Sequence, residues 1–204
     1  SVEQQFSLEA GCIRLLGLVE TASGVASLPW LIDEPERLDA LCFGNVDFSL
    51  DMGLTDGDLS TGVVHHARCS LAITAVAAGV TAIDGVCLAI RDADAFEVEA
   101  QAALSLGFSG KLCIHPSQVA IANDVFTPTS EQVDKARRVL AAALEAKQAG
   151  RGGAFPLDGK MVDAPVLELQ KRLLERARHA GVFDRPGGKS RRKQRNESWE
   201  QTPI

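Results

Sequence analysis

Four short runs of mostly apolar residues, 13–19, 38–43, 81–90 and 111–114, constrain this chain more than any other feature. Apolar side chains follow one another in them instead of alternating with polar ones. A strand with one face in water alternates, whereas a strand covered on both faces has no need to. Helical patterning fills the gaps between the runs. Residues 27–37 form a short segment interrupted by Pro29 and Pro35, and residues 62–78 form a long one whose alanines permit close packing. Residues 92–106 open with Asp92 and Asp94, good helix N-terminal residues, and stop at Gly107. Strand and helix alternate along the chain, which predicts a parallel α/β architecture.

Beyond Pro116 the pattern changes. Residues 117–125 read as a short helix, and Thr127-Pro128-Thr129-Ser130 leads into a long one ending near Ala149. Ser130 with Val133 lacks a full capping box, while Glu131 favours the helix N-terminus. Gly150-Arg151-Gly152-Gly153 ends that helix. The segment Gly159-Lys160-Met161-Val162-Asp163-Ala164-Pro165 then reads as a loop before a last helix over 165–180, with Pro165 at its first position and Gly181 after its end. Residues 185–204 carry Arg185, Lys189, Arg191, Arg192, Lys193 and Arg195 with no apolar periodicity. They read as a disordered basic tail, with an acidic or nucleic-acid partner as the sharper alternative.

A length of 204 residues suffices for one domain and an appendage. With 46% hydrophobic and 24% charged residues the chain has the composition of a soluble globular protein, and its net charge of −6 argues against nucleic-acid binding by the body. No apolar run is long enough to span a bilayer, and no signal segment opens the chain. The five cysteines show no C-x-x-C spacing, and four lie in or beside the apolar runs. They read as reduced core thiols of a cytoplasmic protein.

Two carboxylates stand where apolar runs stop: Glu20 after the first and Asp47 after the second. In parallel α/β folds the C-terminal strand ends form the ligand face, so these two residues are expected near one another. A hard divalent cation such as Mg²⁺ would relieve their repulsion, and capping of the following helices is the competing role. Asp84 is placed either to line a pocket or to cap a helix or fix a loop. His115 reads as a structural hydrogen-bonding residue, His65 and His66 lack metal-binding companions, and Asp51 and Gly53 read as loop geometry. Lys160 is either a solvated lysine or a contact to the loop or to a negatively charged cofactor.

Five segments, in order, resemble one family. They are Val19-Glu20-Thr21-x-x-Gly24, Phe43-Gly44-x-x-Asp47-x-x-x-Asp51-x-Gly53, Ala82-Ile83-Asp84-Gly85-Val86, Gly110-Lys111-x-Cys113-Ile114-His115-Pro116-Ser117-Gln118, and the segment 159–165. Together they resemble the citrate lyase β-subunit-like (HpcH/HpaI aldolase/citrate lyase) family over residues 8–180. The resemblance implies a TIM (β/α)8 barrel fold of which only the last four βα units are present, followed by a C-terminal helical lid segment. The corresponding domains are 1–128, 129–184 and the tail 185–204. It also implies Mg²⁺ on Glu20 and Asp47, a substrate carboxylate held by backbone N–H groups of Gly44, Asn45 and Val46, and Asp163 as catalytic acid/base. In that family the aspartate reaches the site of a neighbouring subunit, so a homo-oligomer, trimer or hexamer, is expected. The implied reaction is carbon–carbon cleavage of a malyl-, citramalyl- or citryl-type thioester of CoA or acyl-carrier protein to an acetyl-type thioester and a 2-oxo acid.

A complete barrel of this kind takes about 250 residues. The chain also begins at Ser1 and lacks the early strands that carry a family arginine. The expectation is therefore a fragment or truncated product. Two alternatives stay open: an inactive fragment that serves as an assembly or regulatory partner, and a CoA-independent 2-oxo acid aldolase. The latter shares the Glu/Asp pair but has no need of the appendage with Lys160 and Asp163.

Overall fold

The apolar runs become the strands of a four-stranded, all-parallel sheet in the order β1 (Leu15–Val19), β2 (Leu38–Phe43), β3 (Thr81–Asp84), β4 (Gly110–Lys111). The computed structural model describes residues 2–31, 35–55, 57–150 and 153–182. They fall into two compact units, Ser1–Phe126 and Thr127–Ile204. In the first unit the helices are α1 (Val2–Gln5), α2 (Ala22–Ala26), α3 (Leu28–Leu31), α4 (Asn45–Asp51), α5 (Gly62–Ala78), α6 (Ala93–Ser105) and α7 (Pro116–Phe126). The second unit holds α8 (Ser130–Gln148), a hairpin of β5 (Phe155–Leu157) and β6 (Lys160–Val162), and α9 (Ala164–His179). Among the described residues no helix is long and apolar enough to cross a membrane. The basic segment 185–204 lies outside the described residues.

Helix α5 supplies the main core. Val64, Ala67, Leu71 and Ala75 recur at helical spacing and pack with Val19, Leu41, Phe43 and Ala82 from the sheet. Its alanines let the helix approach closely, as their frequency predicts. A second cluster joins Cys87 and α6 (Phe96, Ala100) to α7 (Ile121, Val125). Asp92 caps α6 by accepting from Ala95 N.

Three expectations need correction. The run 13–19 is not covered on both faces: β1 is an edge strand, and Leu16 and Leu18 are exposed on the face away from Val19. An apolar run alone does not separate a central strand from an edge. The runs 81–90 and 111–114 form strands only to Asp84 and Lys111, because the backbone beyond them bonds to side chains of other elements. Of the four cysteines read as core, Cys42 and Cys87 are buried, where desolvation pushes their thiols up, whereas Cys12 and Cys113 are exposed.

In the second unit Thr129 caps α8 one residue earlier than expected, and the capping box is complete. Its hydroxyl accepts from Gln132 N (3.2 Å) while the Gln132 side chain accepts from Thr129 N (2.8 Å). The expected loop at 159–165 is instead the second strand of a hairpin and the start of α9. Asp158 and Gly159 turn it with positive φ of 49° and 73°, the backbone of a two-residue turn that suits Asp-Gly. Helix α9 starts at Ala164, so Pro165 takes the second position.

Charge is buried between the sheet and the helices. Asp84 is 0% exposed and receives the fork of Arg68 (Nε to Oδ1 2.9 Å, Nη2 to Oδ2 3.0 Å). Lys111 Nζ lies 2.9 Å from Asp84 Oδ2 and 3.0 Å from Glu99 Oε2. The third Arg68 nitrogen, Nη1, donates to Leu59 O at 2.6 Å. The cations and carboxylates balance, and the rings of Phe108 and Phe96 lie under Arg68 and Lys111. Near the N-terminus the buried Glu3 carboxylate accepts from Gly11 N and Ile13 N (3.1 Å each) and from Arg37 (2.7 Å). These bonds, with Gly11 foremost, hold Glu3 below the usual glutamate range.

Asp84→Asn leaves two buried cations undercompensated and is expected to destabilise the first unit by about 3–5 kcal/mol in urea unfolding. A loss under about 1 kcal/mol would mean that water screens the cluster. Because the folded state lowers the Glu3 pKa, the stability it contributes is present at neutral pH and lost as pH falls through that lowered value. Protection of the Gly11 and Ile13 amides against exchange should therefore fall as pH drops through that lowered value, and Glu3→Ala, which removes the oxygen both amides share, should expose them at neutral pH and flatten the dependence.

Candidate functional site

The ends of β1 and β2 are level, with Val19 paired to Phe43, and Gly44 N donates to Val19 O across them at 2.9 Å. Glu20, half-buried, follows β1 directly, and its side chain lies over Gly44. A Cβ at position 44 would overlap Glu20 Cβ and stand 3.1 Å from Glu20 Oε2, so only glycine fits beneath this carboxylate. Asp47 lies exposed in the first turn of α4.

Neither carboxylate serves as the helix cap that the sequence left open. Thr21 caps α2 by accepting from Gly24 N at 3.0 Å, and Gly44 is the N-cap of α4. Among the described residues neither Glu20 nor Asp47 meets a protein donor or cation. Two such oxygen-donor groups, one directly after β1 and one in the first turn after β2, suit a hard divalent ion in kind. Among the described residues no group of three or more His, Cys, Asp or Glu gathers to hold a metal. An ion here would keep positions for water and substrate, as Mg²⁺ commonly does.

The neighbouring residues hold this edge of the sheet. Asp51 Oδ2 accepts from Ala22 N at 2.7 Å and ties the end of α4 to the start of α2, the loop role expected of it. Asn45 is buried, and its amide is engaged at both ends: Oδ1 accepts from Val86 N at 2.8 Å and Nδ2 donates to Val86 O at 3.2 Å. Gly44 provides no side-chain cap, so the first-turn N–H groups of α4 have no side-chain acceptor from the N-cap. Val46 is exposed beside them. Glu20 thus lies over Gly44, and Asn45, Val46 and Asp47 follow that glycine in the first turn of α4.

Other expected residues have structural work. Asp84 belongs to the buried charge cluster and not to a pocket wall. His115 Nδ1 meets Ser117 Oγ at 2.7 Å and accepts from Ser117 N at 3.2 Å, closing the turn into α7. His65 and His66 contact Cys69 and Ser70 one turn along α5. In the second unit Asp163 is the N-cap of α9: Oδ1 accepts from Val166 N at 3.1 Å, and Val162 before it is buried. Lys160 is exposed on β6.

Sequence reasoning missed Gln118 as an individual. Its buried side chain accepts from Ile114 N and donates to Cys87 O, both at 2.9 Å, joining the loops after β3 and β4. The available signal was an amide at helical spacing with Ile121 and Val125 on the buried face of α7. Arg68, Glu99 and Lys111 were likewise missed as a cluster.

The family model described as HpcH/HpaI aldolase/citrate lyase matches residues 1–116. A citrate lyase subunit beta-like protein of Deinococcus radiodurans is 41% identical over 164 residues, covering 79% of this chain and 56% of the relative. The mitochondrial citramalyl-CoA lyase of Rattus norvegicus is 35% identical over 170 residues, covering 79% of this chain and 50% of the relative. Among solved structures, CitE of Mycobacterium tuberculosis in complex with magnesium, acetoacetate and coenzyme A superposes with a TM-score of 0.69. It is 32% identical, and the match covers 80% of this chain and 61% of that one. The chain therefore spans about half to three-fifths of the length of these relatives. With the family model resting on more than half of its residues, the chain belongs to the HpcH/HpaI aldolase/citrate lyase family.

Proposed function

We propose that this chain carries the metal-binding strand ends of a Mg²⁺-dependent carbon–carbon lyase. Its substrate is a malyl-, citramalyl- or citryl-type thioester, and its products are an acetyl-type thioester and a 2-oxo acid. The observation that carries this reading is the pair Glu20 and Asp47, free of protein partners among the described residues, with Glu20 directly after β1 against Gly44 and Asp47 in the first turn of the helix that follows β2. The coenzyme A in the M. tuberculosis structure and the name of the rat relative support a thioester substrate. CoA and acyl-carrier protein are the two carriers such a substrate would have.

Glu20 and Asp47 would hold Mg²⁺, which when bound supplies positive charge to the oxygen that gains electrons as the carbon–carbon bond breaks. The N–H groups of Asn45 and Val46 would take the substrate carboxylate, whereas that of Gly44, expected to join them, is given to Val19 O. Asp163 would move the proton at the acetyl-type carbon. Since its Oδ1 accepts from Val166 N, Oδ2 is the oxygen left to carry that proton.

The same reading takes the four βα units as the last four of a (β/α)8 barrel in residues 1–128, followed by a lid segment, 129–184. Sequential strand order supports this, because a doubly wound sheet reverses order partway. The exposed Leu16 and Leu18 on the face away from Val19 also fit a strand whose further neighbours complete a barrel. In the family's manner, the protein would act in the cytoplasm as a trimer or hexamer in which Asp163 serves a neighbouring copy.

Glu20→Gln and Asp47→Asn should each weaken Mg²⁺ binding in calorimetry. Each should also lower kcat/KM with malyl-CoA or citramalyl-CoA by about 10²–10³-fold. Unchanged metal affinity in both variants would overturn the site. Asp163→Asn should bind Mg²⁺ like the wild type and lose about 10²–10⁴-fold in turnover. Mixing it with Glu20→Gln should restore activity if Asp163 acts across subunits, and a mixture that stays inactive removes that arrangement.

A further inference from the structure

We propose that Asn45 is a positioning residue for the Glu20–Asp47 site, acting through Val86; the inference rests on the metal-site reading above. Asn45 opens α4, two residues before Asp47, and directly follows the Gly44 on which Glu20 lies. Its side chain does not face the site as a free ligand. It is 8% exposed, and both ends of its amide are bonded to the Val86 backbone, 41 residues away. Val86 in turn leaves β3 two residues after Asp84, the residue fixed by Arg68 and Lys111.

The fit around this amide is tight. A Cβ on Gly85 would overlap Asn45 Oδ1, and would also come within 2.7 Å of Asn45 Cγ and 3.0 Å of Phe43 O. Gly85 therefore keeps a place for the Asn45 amide, and the amide fixes the direction in which α4 leaves β2. Gly44 N is tied to Val19 O, but Gly44 lends α4 no side-chain cap, so the Asn45 amide is the side-chain bond that orients the first turn against the loop after β3. Rotation of the first turn would carry Asp47 away from Glu20 without altering either carboxylate. Outer-shell groups of this sort commonly govern metal affinity by about 10–100-fold.

Mn²⁺ titration of the whole chain, followed by the electron paramagnetic resonance of free and bound ion, tests this without an activity assay. Wild type, Asn45→Ala, Gly85→Ala, the double variant and Glu20→Gln are compared, with thermal melting to confirm folding. Asn45→Ala should raise the Mn²⁺ Kd about 10–100-fold and broaden the bound spectrum while both site carboxylates remain. Gly85→Ala should do the same by displacing the amide. The double variant should bind no worse than Gly85→Ala alone, because alanine at position 45 removes the amide that the new Cβ would meet. Should Asn45→Ala fail to fold, Gly85→Ala against the double variant carries the same comparison. Asn45→Ala binding within twofold of wild type, or effects of the two substitutions that multiply, would overturn the positioning role. Loss of binding in Asn45→Ala with none in Glu20→Gln would overturn the metal-site reading instead.

Discussion

Asp84 places a carboxylate where water does not reach, and the surrounding first unit is arranged around that fact. A buried ion costs several kcal/mol unless well-aligned partners surround it. Arg68 must bring α5 near enough for its fork to close on Asp84 and for its remaining nitrogen to meet Leu59 O. Lys111 must lie on the neighbouring strand, and Glu99 must bring α6 to the other side of Lys111. Apolar contacts such as those of Ala67 and Ala75 tolerate some sliding, whereas a bidentate ion pair does not. The cluster therefore sets the register of α5 and α6 on β3 and β4, and the apolar core fills in around it.

From that fixed point, order passes along the C-terminal edge of the sheet by hydrogen bonds to backbone. The loops after β3 and β4 have N–H and C=O groups with no ladder partner, and such groups cannot be left buried and unpaired. Two side-chain amides stand in for the ladder. Asn45 reads both groups of Val86, and Gln118 takes Cys87 O and Ile114 N. Gly44 joins β2 to β1, and Asp51 joins α4 to α2. Every loop on this edge is thus held to a neighbour by at least one such bond. Glu20 and Asp47 need no partners of their own to stay in place, and their oxygens remain available.

The features legible in the sequence were those encoded locally. The span of α5 was readable as Gly62–Ala78, and Asp92 announced α6, because apolar spacing and caps act over a few residues. What escaped was set by distance or by very short elements. Asp84 meets Arg68 and Lys111 across 16 and 27 residues, a separation no periodicity records. The hairpin strands have three residues each, too few for alternation to show, and only Asp158-Gly159 marked them. Leu16 and Leu18 look the same in sequence whether a strand is central or at an edge. The roles of Glu20 and Asp47 stayed open for a related reason: a carboxylate after a strand is also a good helix cap. The fold resolves this by giving those caps to Thr21 and Gly44.

Asp163 combines two demands that are compatible only in one arrangement. As N-cap of α9 it must hold an oxygen against Val166 N, which fixes its side chain in one direction. A proton-transferring carboxylate also needs a fixed direction, so the cap supplies the orientation that the chemistry would require. The arrangement leaves one oxygen to each task. The hairpin before it and Pro165 after it restrain the backbone on both sides, with Val162 buried as the anchor. Asparagine at this position would keep an acceptor for Val166 N and remove only the ionisable oxygen, whereas alanine would remove the cap as well. The proposed proton-transfer role would therefore rest on Oδ2 alone, and the helix start rests on Oδ1.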